Sequence, residues 1–174
     1  MKKFKLFLIF IFFFLPTNIV LADGLVAFID VQYIMENSLA GKSLKKQLES
    51  VHKKNLNEFK QKEDDLKKKE NEILKKKNVL SKEDFQKEIT DLRNEVKNYN
   101  TERNEKINSL TKKRLESMEK ILKVLSPILT EYSKEKNISI VMDKKYIIVG
   151  KTELNLTDDI LKLLNIKIKK ININ

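Results

Sequence analysis

Hydrophobic and polar positions divide this chain into stretches with different periods. Residues 6–15 are ten consecutive apolar side chains, preceded by Lys2, Lys3 and Lys5 and followed by Pro16. Val20 and Ala22 stand at the −3 and −1 positions of a cleavage site, and the apolar run is shorter than the ~20 residues a membrane span requires. The pattern predicts a secretory signal peptide over residues 1–22, removed after Ala22. Leu25-Val26-Ala27-Phe28-Ile29 then reads as a strand, and Asp30 as the cap of a short helix from Val31 to Glu36.

From Lys42 to Ser126 the chain runs 85 residues without glycine or proline, in a composition that only a helix tolerates well. One break is signalled inside it. Ser81 and Asp84 have capping-box spacing, with Leu80 and Phe85 at the positions of a hydrophobic staple. The run is therefore two antiparallel helices, an outgoing one from about Leu44 to Val79 and a return one starting at Ser81. The return helix carries Phe85, Ile89, Leu92, Val96 and Tyr99 in a 4-3-4-3 pattern that marks a coiled-coil seam. That seam resumes, shifted, from Ile107 to Leu125. The outgoing helix is thinner, with Phe59, Leu66, Ile73 and Leu80 recurring every seven residues. So sparse an apolar stripe offsets little chain entropy, and the arm is expected to be long, thin and weakly held.

Beyond the arm, Pro127 should kink or restart the helix, and Asn137 should end it. Ile138-Ser139-Ile140-Val141-Met142 and Tyr146-Ile147-Ile148-Val149 read as two strands of a hairpin turning at Asp143-Lys144-Lys145. Thr157 is expected to cap a last short helix with Asp158 and Asp159 in its first turn, where carboxylates suit the helix dipole. Residues 166–173 alternate well enough for another strand. The expected fold class is α+β: a long antiparallel helical hairpin, residues 42–126 with its tip near 75–81, inserted in a small β-rich body of residues 23–41 and 127–174. Three short strands expose two edges and bury little, so several bodies are expected to close around one shared core.

Charge changes the picture of the arm. The whole sequence has 36 Lys+Arg against 25 Asp+Glu, and the portion after residue 22 keeps 33 against 25. Residues 42–123 hold 24 basic and 16 acidic side chains, which accounts for the whole excess. Its densest clusters are Lys67-Lys68-Lys69 and Lys75-Lys76-Lys77, near the tip. They fit either an ordinary solvated helix face or attraction of an anionic partner: an acidic polypeptide, an anionic lipid or lipopolysaccharide surface, or nucleic acid. Nucleic acid is disfavoured, because the signal peptide exports the chain and no aromatic residues interleave the basic face.

Catalysis finds little support. The absence of cysteine removes thiol catalysis, disulfides and thiolate metal sites. His52 is the sole histidine and reads as a seam or flank residue without a second ligand to share a metal. The adjacent pairs Asp64-Asp65 and Asp158-Asp159 point about 100° apart on a helix and cannot act on one bond. No enzyme activity, cofactor or metal is expected.

The order of elements, together with particular residues at the two ends, resembles the Skp/OmpH family of periplasmic chaperones. The matching residues are Phe28-Ile29-Asp30-Val31-Gln32 with Ile34, then Ser38-Leu39-Ala40-Gly41-Lys42 at the entry to the arm. After the arm come Ile140-Val141-Met142-Asp143, the 146–149 segment and Leu156-Thr157-Asp158-Asp159-Ile160-Leu161-Lys162-Leu163-Leu164-Asn165. Asn155-Leu156 departs from the family's acid and isoleucine before the Thr, and residues 166–174 extend past its usual end. The resemblance implies an ATP-independent holdase: a homotrimer that binds unfolded outer-membrane β-barrel proteins in the periplasm and prevents their aggregation. On that reading Lys67, Lys68, Lys69, Lys75, Lys76 and Lys77 attract clients. Phe59, Leu66, Ile73, Phe85, Ile89, Leu92, Val96 and Tyr99 form the arm seam or inner wall, and Val26, Phe28, Ile140, Val141, Ile147 and Val149 the trimer body. The alternatives are a periplasmic coiled-coil adaptor with one folded partner, or a binder of anionic lipid or lipopolysaccharide through the lysine clusters.

Overall fold

A computed structural model describes residues 24–173, so the expected signal peptide at residues 1–22 lies outside the described residues. Strand β1 is Leu25–Ile29. The Asp30 carboxylate accepts the Tyr33 amide at 2.8 Å and starts helix α1, Val31–Asn37. Ser38 closes α1 and opens the outgoing helix α2, Leu39–Lys75. Two side chains satisfy the first free amides of α2, which a helix start leaves unpaired. Ser38 Oγ accepts from Gly41 at 3.0 Å, and Asn165 Oδ1 accepts from Leu39 at 2.7 Å. With these caps α2 begins five residues before the apolar pattern at Leu44 suggests.

The arm turns where the capping box places it. Residues 76–80 form the turn, and Ser81 caps α3, Lys82–Glu135, by accepting the Asp84 amide at 3.1 Å while donating to Asp84 Oδ2 at 2.6 Å. At 1.5 Å per residue the 37 residues of α2 extend about 56 Å and the 54 of α3 about 81 Å, so α3 overshoots into the body. It continues through Pro127 without a restart. Pro127 is exposed, so the carbonyl it leaves without a helical partner faces water, while Leu125 and Ile128 on the inner side are buried and hold the helix together. Asn137 follows with φ 55°, the left-handed conformation that asparagine tolerates at a helix end.

Strand β2, Ile138–Asp143, returns parallel to β1, with Val26 opposite Ile140 and Ile29 opposite Asp143. The whole arm is thus the crossover that a parallel pair requires. The expected second hairpin strand is not formed. Asp143 Oδ1 accepts the Lys145 amide at 3.2 Å and folds residues 144–146 into a 3-10 turn. Asp-Lys-Lys has no glycine or asparagine for the paired positive φ of a tight hairpin, and Asp143 instead stays at negative φ and caps the local turn. Residues 147–149 run on outside any strand, with Ile148 fully exposed and Val149 88% exposed. A second 3-10 turn, Thr152–Leu154, leads to helix α4, Thr157–Lys167.

Thr157 is the first residue of α4 and not its cap. Its Oγ accepts the Asp30 amide at 2.8 Å and donates to Asn155 Oδ1, which also accepts the Thr157 amide at 3.1 Å. The Leu156 amide reaches the Phe28 carbonyl at 2.9 Å. Thr157 is therefore spent on joining the two chain ends. The alternating tail forms no strand either. After Lys167 it lies along α2, with Ile171 buried. The core gathers Ala27 and Ile29 of β1, Ile34 of α1, Ala40 and Leu44 of α2, Ile121, Leu125 and Ile128 of α3, Ile138 of β2, and Ile160 and Leu164 of α4.

Candidate functional site

The arm carries most of the residues singled out from sequence. Between residues 50 and 110 Phe59 and Ile73 are the two side chains buried in the seam, and Leu66, Phe85, Ile89, Leu92 and Tyr99 are half-buried around them. Val96 points further out, at 39% exposure. Phe59 meets the edge of Tyr99 with centroids 6.4 Å apart and planes at 79°, the edge-to-face arrangement that ring quadrupoles favour. The Arg103 guanidinium sits 5.7 Å from the Phe59 centroid on top of this pair. The Tyr99 hydroxyl donates to Glu63, and burial together with that carboxylate raises the phenol above its ordinary pKa.

Ion pairs fix the register of the two helices. Lys106 pairs with Glu58, Glu102 with Lys62, Glu95 with Lys69 at 2.6 Å and Glu88 with Lys76 at 3.3 Å. The pairs step four, seven and seven residues up α2 while stepping down α3 by the same intervals, as an antiparallel heptad seam requires. Hydrogen bonds from Lys106 and Lys62 hold the Glu58 and Glu102 carboxyls below their ordinary pKa, and Lys106 is raised in turn, chiefly by Glu58. All these groups remain in contact with solvent, so the ladder sets alignment more than it adds stability.

The six tip lysines therefore divide. Lys69 and Lys76 are tied across the hairpin, and Lys68 pairs locally with Asp65 at 3.5 Å. Lys67, Lys75 and Lys77 project as exposed cations around the turn. Apolar side chains lie exposed among the charges: Leu56 and Leu74 on α2, Val79 in the turn, and Ile107 and Leu115 on α3. Reading the seam alone misses Leu56, Leu74 and Val79, and assigns Ile107 and Leu115 to an interface they do not share. A signal existed for Leu74, since it sits one residue from the seam position Ile73.

In the body the six expected interface residues are not equivalent. Phe28 is buried within its own chain, its ring edge so close to Gly150 that an added Cβ there would lie 2.8 Å from Cε1. Val141 and Ile147 are half-buried, whereas Val26, Ile140 and Val149 are exposed. Beside the sheet runs a groove of about 890 Å³ lined by Ile29, Leu125, Leu129, Ile138 and Val141. A second cleft of about 1320 Å³ lies at the arm root between α1, α2, α3 and the 144–147 turn, where Met35, Leu48 and Met118 meet Arg114, Lys145 and Glu49. His52 lies exposed on its rim, so it is a flank residue. Among the described residues no group of three or more His, Asp or Glu side chains is placed to hold a metal, and no helix is long and apolar enough to cross a membrane.

A family model described as outer membrane protein, OmpH-like, matches residues 25–164, from the first residue of β1 into the last turns of α4. The chain belongs to the OmpH-like family. The OmpH-like match takes in the arm and both halves of the body, and it stops before the tail that lies on α2. Among solved structures the chain is similar to a Caulobacter crescentus CB15 protein described as an OmpH-like outer membrane chaperone. The two are 13% identical with a TM-score of 0.78, over 86% of this chain and 88% of that one, a likeness of fold. No curated protein matches this chain.

The OmpH-like motifs at the two ends acquire physical roles from the structure. Asp30, Ser38, Gly41, Thr157 and Asn165 make the hydrogen bonds and the close contact that join β1, α1, α2 and α4, and Asp30 and Gly41 also line the cleft at the arm root. The residues on which the sequence resemblance rests thus build the base from which the arm projects.

Proposed function

We propose that this OmpH-like chain is an ATP-independent periplasmic holdase, a non-enzymatic chaperone that keeps unfolded outer-membrane β-barrel proteins from aggregating. The observation that carries the reading is the arm's composition as folded. Exposed apolar side chains at Leu56, Leu74, Val79, Ile107 and Leu115 are interspersed with projecting cations, over a seam in which, between residues 50 and 110, only Phe59 and Ile73 are buried. Each such contact is weak, but many on one arm act together through high local concentration. They offer a client chain no continuous apolar wall to spread on. So thin a seam also opens at low cost, which allows the arm to adapt to clients of different size. Lys67, Lys75 and Lys77 supply attraction at longer range.

The working unit on this reading is a homotrimer. Val26 on β1, Ile140 on β2, and Ile148 and Val149 in the segment after it leave apolar surface exposed, and β2 has no strand on its outer edge among the described residues. An uncovered strand edge next to apolar side chains is a site for another chain. Three bodies sharing that surface would bring three arms together around one cavity. Export by the expected signal peptide places the assembly in the periplasm.

The test uses residues 23–174 of the purified protein. A urea-unfolded outer-membrane β-barrel protein is diluted into it without nucleotide, and light scattering is followed against trimer concentration. Suppression saturating near one trimer per client is the expected result. A folded, oligomeric protein that leaves scattering unchanged would overturn the chaperone reading. Capture of one folded partner would then favour an adaptor, and flotation with anionic vesicles that is lost at high salt would favour a lipid binder.

A further inference from the structure

The tail beyond the family match is seated in an unusual way. Gln47, on the third turn of α2, donates from Nε2 to the Ile171 carbonyl at 2.5 Å and accepts at Oε1 from the Ile173 amide at 3.4 Å. The same Nε2 reaches the Ser43 carbonyl and hydroxyl, both at 3.2 Å, so the carboxamide is held in one orientation. In a parallel β-ladder, one residue's N–H and C=O face the carbonyl of residue j−1 and the amide of residue j+1 on the next strand. Gln47 presents the same pair of groups to Ile171 and Ile173, on either side of Asn172. One side-chain amide thus replaces a neighbouring strand, and it reads main chain only.

The side chains of the seated segment alternate as a half-buried strand does. Ile171 is 6% exposed and joins the body's hydrophobic cluster, Asn172 is exposed, and Ile173 is half-buried against that cluster. Selection is therefore for extended backbone with apolar residues two apart, whatever the outward residue is. The occupant is held by the two side-chain hydrogen bonds of Gln47 and by the apolar contacts of Ile171 and Ile173. The OmpH-like match ends at residue 164, before this segment.

We propose that this seat is a strand-binding site where the root of α2 meets the body, away from the exposed apolar side chains of the arm, which takes an extended polypeptide segment with apolar residues at alternate positions, and that the chain's own tail is its displaceable resident. The tail excludes competing segments through its tethered local concentration, and its release opens the seat. The site does not depend on the arm holding unfolded chains, and its test needs no such client.

The probe is a fluorescein-labelled peptide with the sequence of residues 166–174, followed by anisotropy against the full chain. Ile171→Asp should free the seat without shortening the protein and bind the peptide at least about tenfold more tightly than wild type does. Adding Gln47→Ala to that variant should weaken binding about tenfold, the effect expected from losing two modest hydrogen bonds. A shorter peptide of residues 169–174 should still bind, and that peptide with the residues of positions 171 and 172 exchanged, which keeps no two apolar residues two apart, should not. In wild type, saturating peptide should speed hydrogen exchange at residues 171–173. An Ile171→Asp protein that melts like wild type but binds no better would overturn the proposal, as would indifference to Gln47→Ala. Should Ile171→Asp unfold, unchanged exchange of the wild-type tail at saturating peptide would overturn it equally.

Discussion

Replacing Gly41 by alanine tests the junction between body and arm. By intrinsic propensity, alanine in a helix is better than glycine by about 1 kcal/mol, so an isolated α2 would gain from the change. The structure predicts the opposite sign. A Cβ on Gly41 would lie 1.7 Å from the Met35 carbonyl oxygen, 2.8 Å from its carbon and 3.0 Å from Ser38 Oγ. The obstacle is backbone of α1, so no rotamer change relieves it, and α1 must shift by more than an ångström against α2. That shift strains the packing of Ile34, which is fully buried, and the Ser38 and Asn165 bonds to the first amides of α2. Overpacking of this kind costs about 1–3 kcal/mol and loss of a helix cap about 1 more. Less the propensity gain, the net loss is about 1–3 kcal/mol, or a fall in Tm of about 3–10 °C for a chain of this size. The assay is thermal and urea unfolding followed by circular dichroism, with hydrogen exchange in β1 as a probe confined to the body. Unchanged or raised stability in Gly41→Ala would refute the close approach of α1 to α2.

Other perturbations separate arm from body. Phe59→Ala removes a buried ring with its Tyr99 and Arg103 contacts, for a local loss of about 3 kcal/mol. Hydrogen exchange should quicken in residues 55–66 and 96–106 and stay unchanged in β1. Thr157→Val keeps the shape but leaves the Asp30 amide without its acceptor. It should cost about 2 kcal/mol in urea unfolding, and a loss below about 0.5 would discount that bond. Glu58 and Glu102 have carboxyls held below their ordinary value by Lys106 and Lys62. Their pairing is fully present above the unfolded glutamate pKa of about 4.3 and is lost as pH falls through the lowered folded value. Carboxyl titration by NMR should give both residues midpoints below those of exposed glutamates, and ordinary midpoints would dissolve the ladder.

Sequence by itself was sufficient wherever a structure depends on neighbours a few residues apart. The capping box at Ser81 and Asp84, the strand at 25–29, the Asp30 cap and the end of α3 at Asn137 are all local, and each was legible. So was the sparse heptad of Phe59, Leu66 and Ile73, because a seam is a periodicity. The same holds for the concentration of positive charge on the arm, and for the family signature at the two ends.

Where distant parts of the chain compete for one group, only the tertiary structure decided. Thr157 reads as a cap, yet the Asp30 amide, 127 residues away, takes its hydroxyl. Pro127 reads as a break, yet Leu125 and Ile128 in the core hold α3 continuous. One miss was local: residues 146–149 read as a hairpin strand, yet Asp143 captures the Lys145 amide two residues on and the apolar run is left exposed. The tail's alternation suggested a strand, but whether it met a sheet, solvent or Gln47 depended on where α2 lies. The lysine clusters divide into paired and projecting cations only once the antiparallel register sets Glu95 and Glu88 opposite Lys69 and Lys76. Sequence pattern carries local periodicity and capping; it carries no record of which remote group arrives first at a shared donor, acceptor or apolar surface.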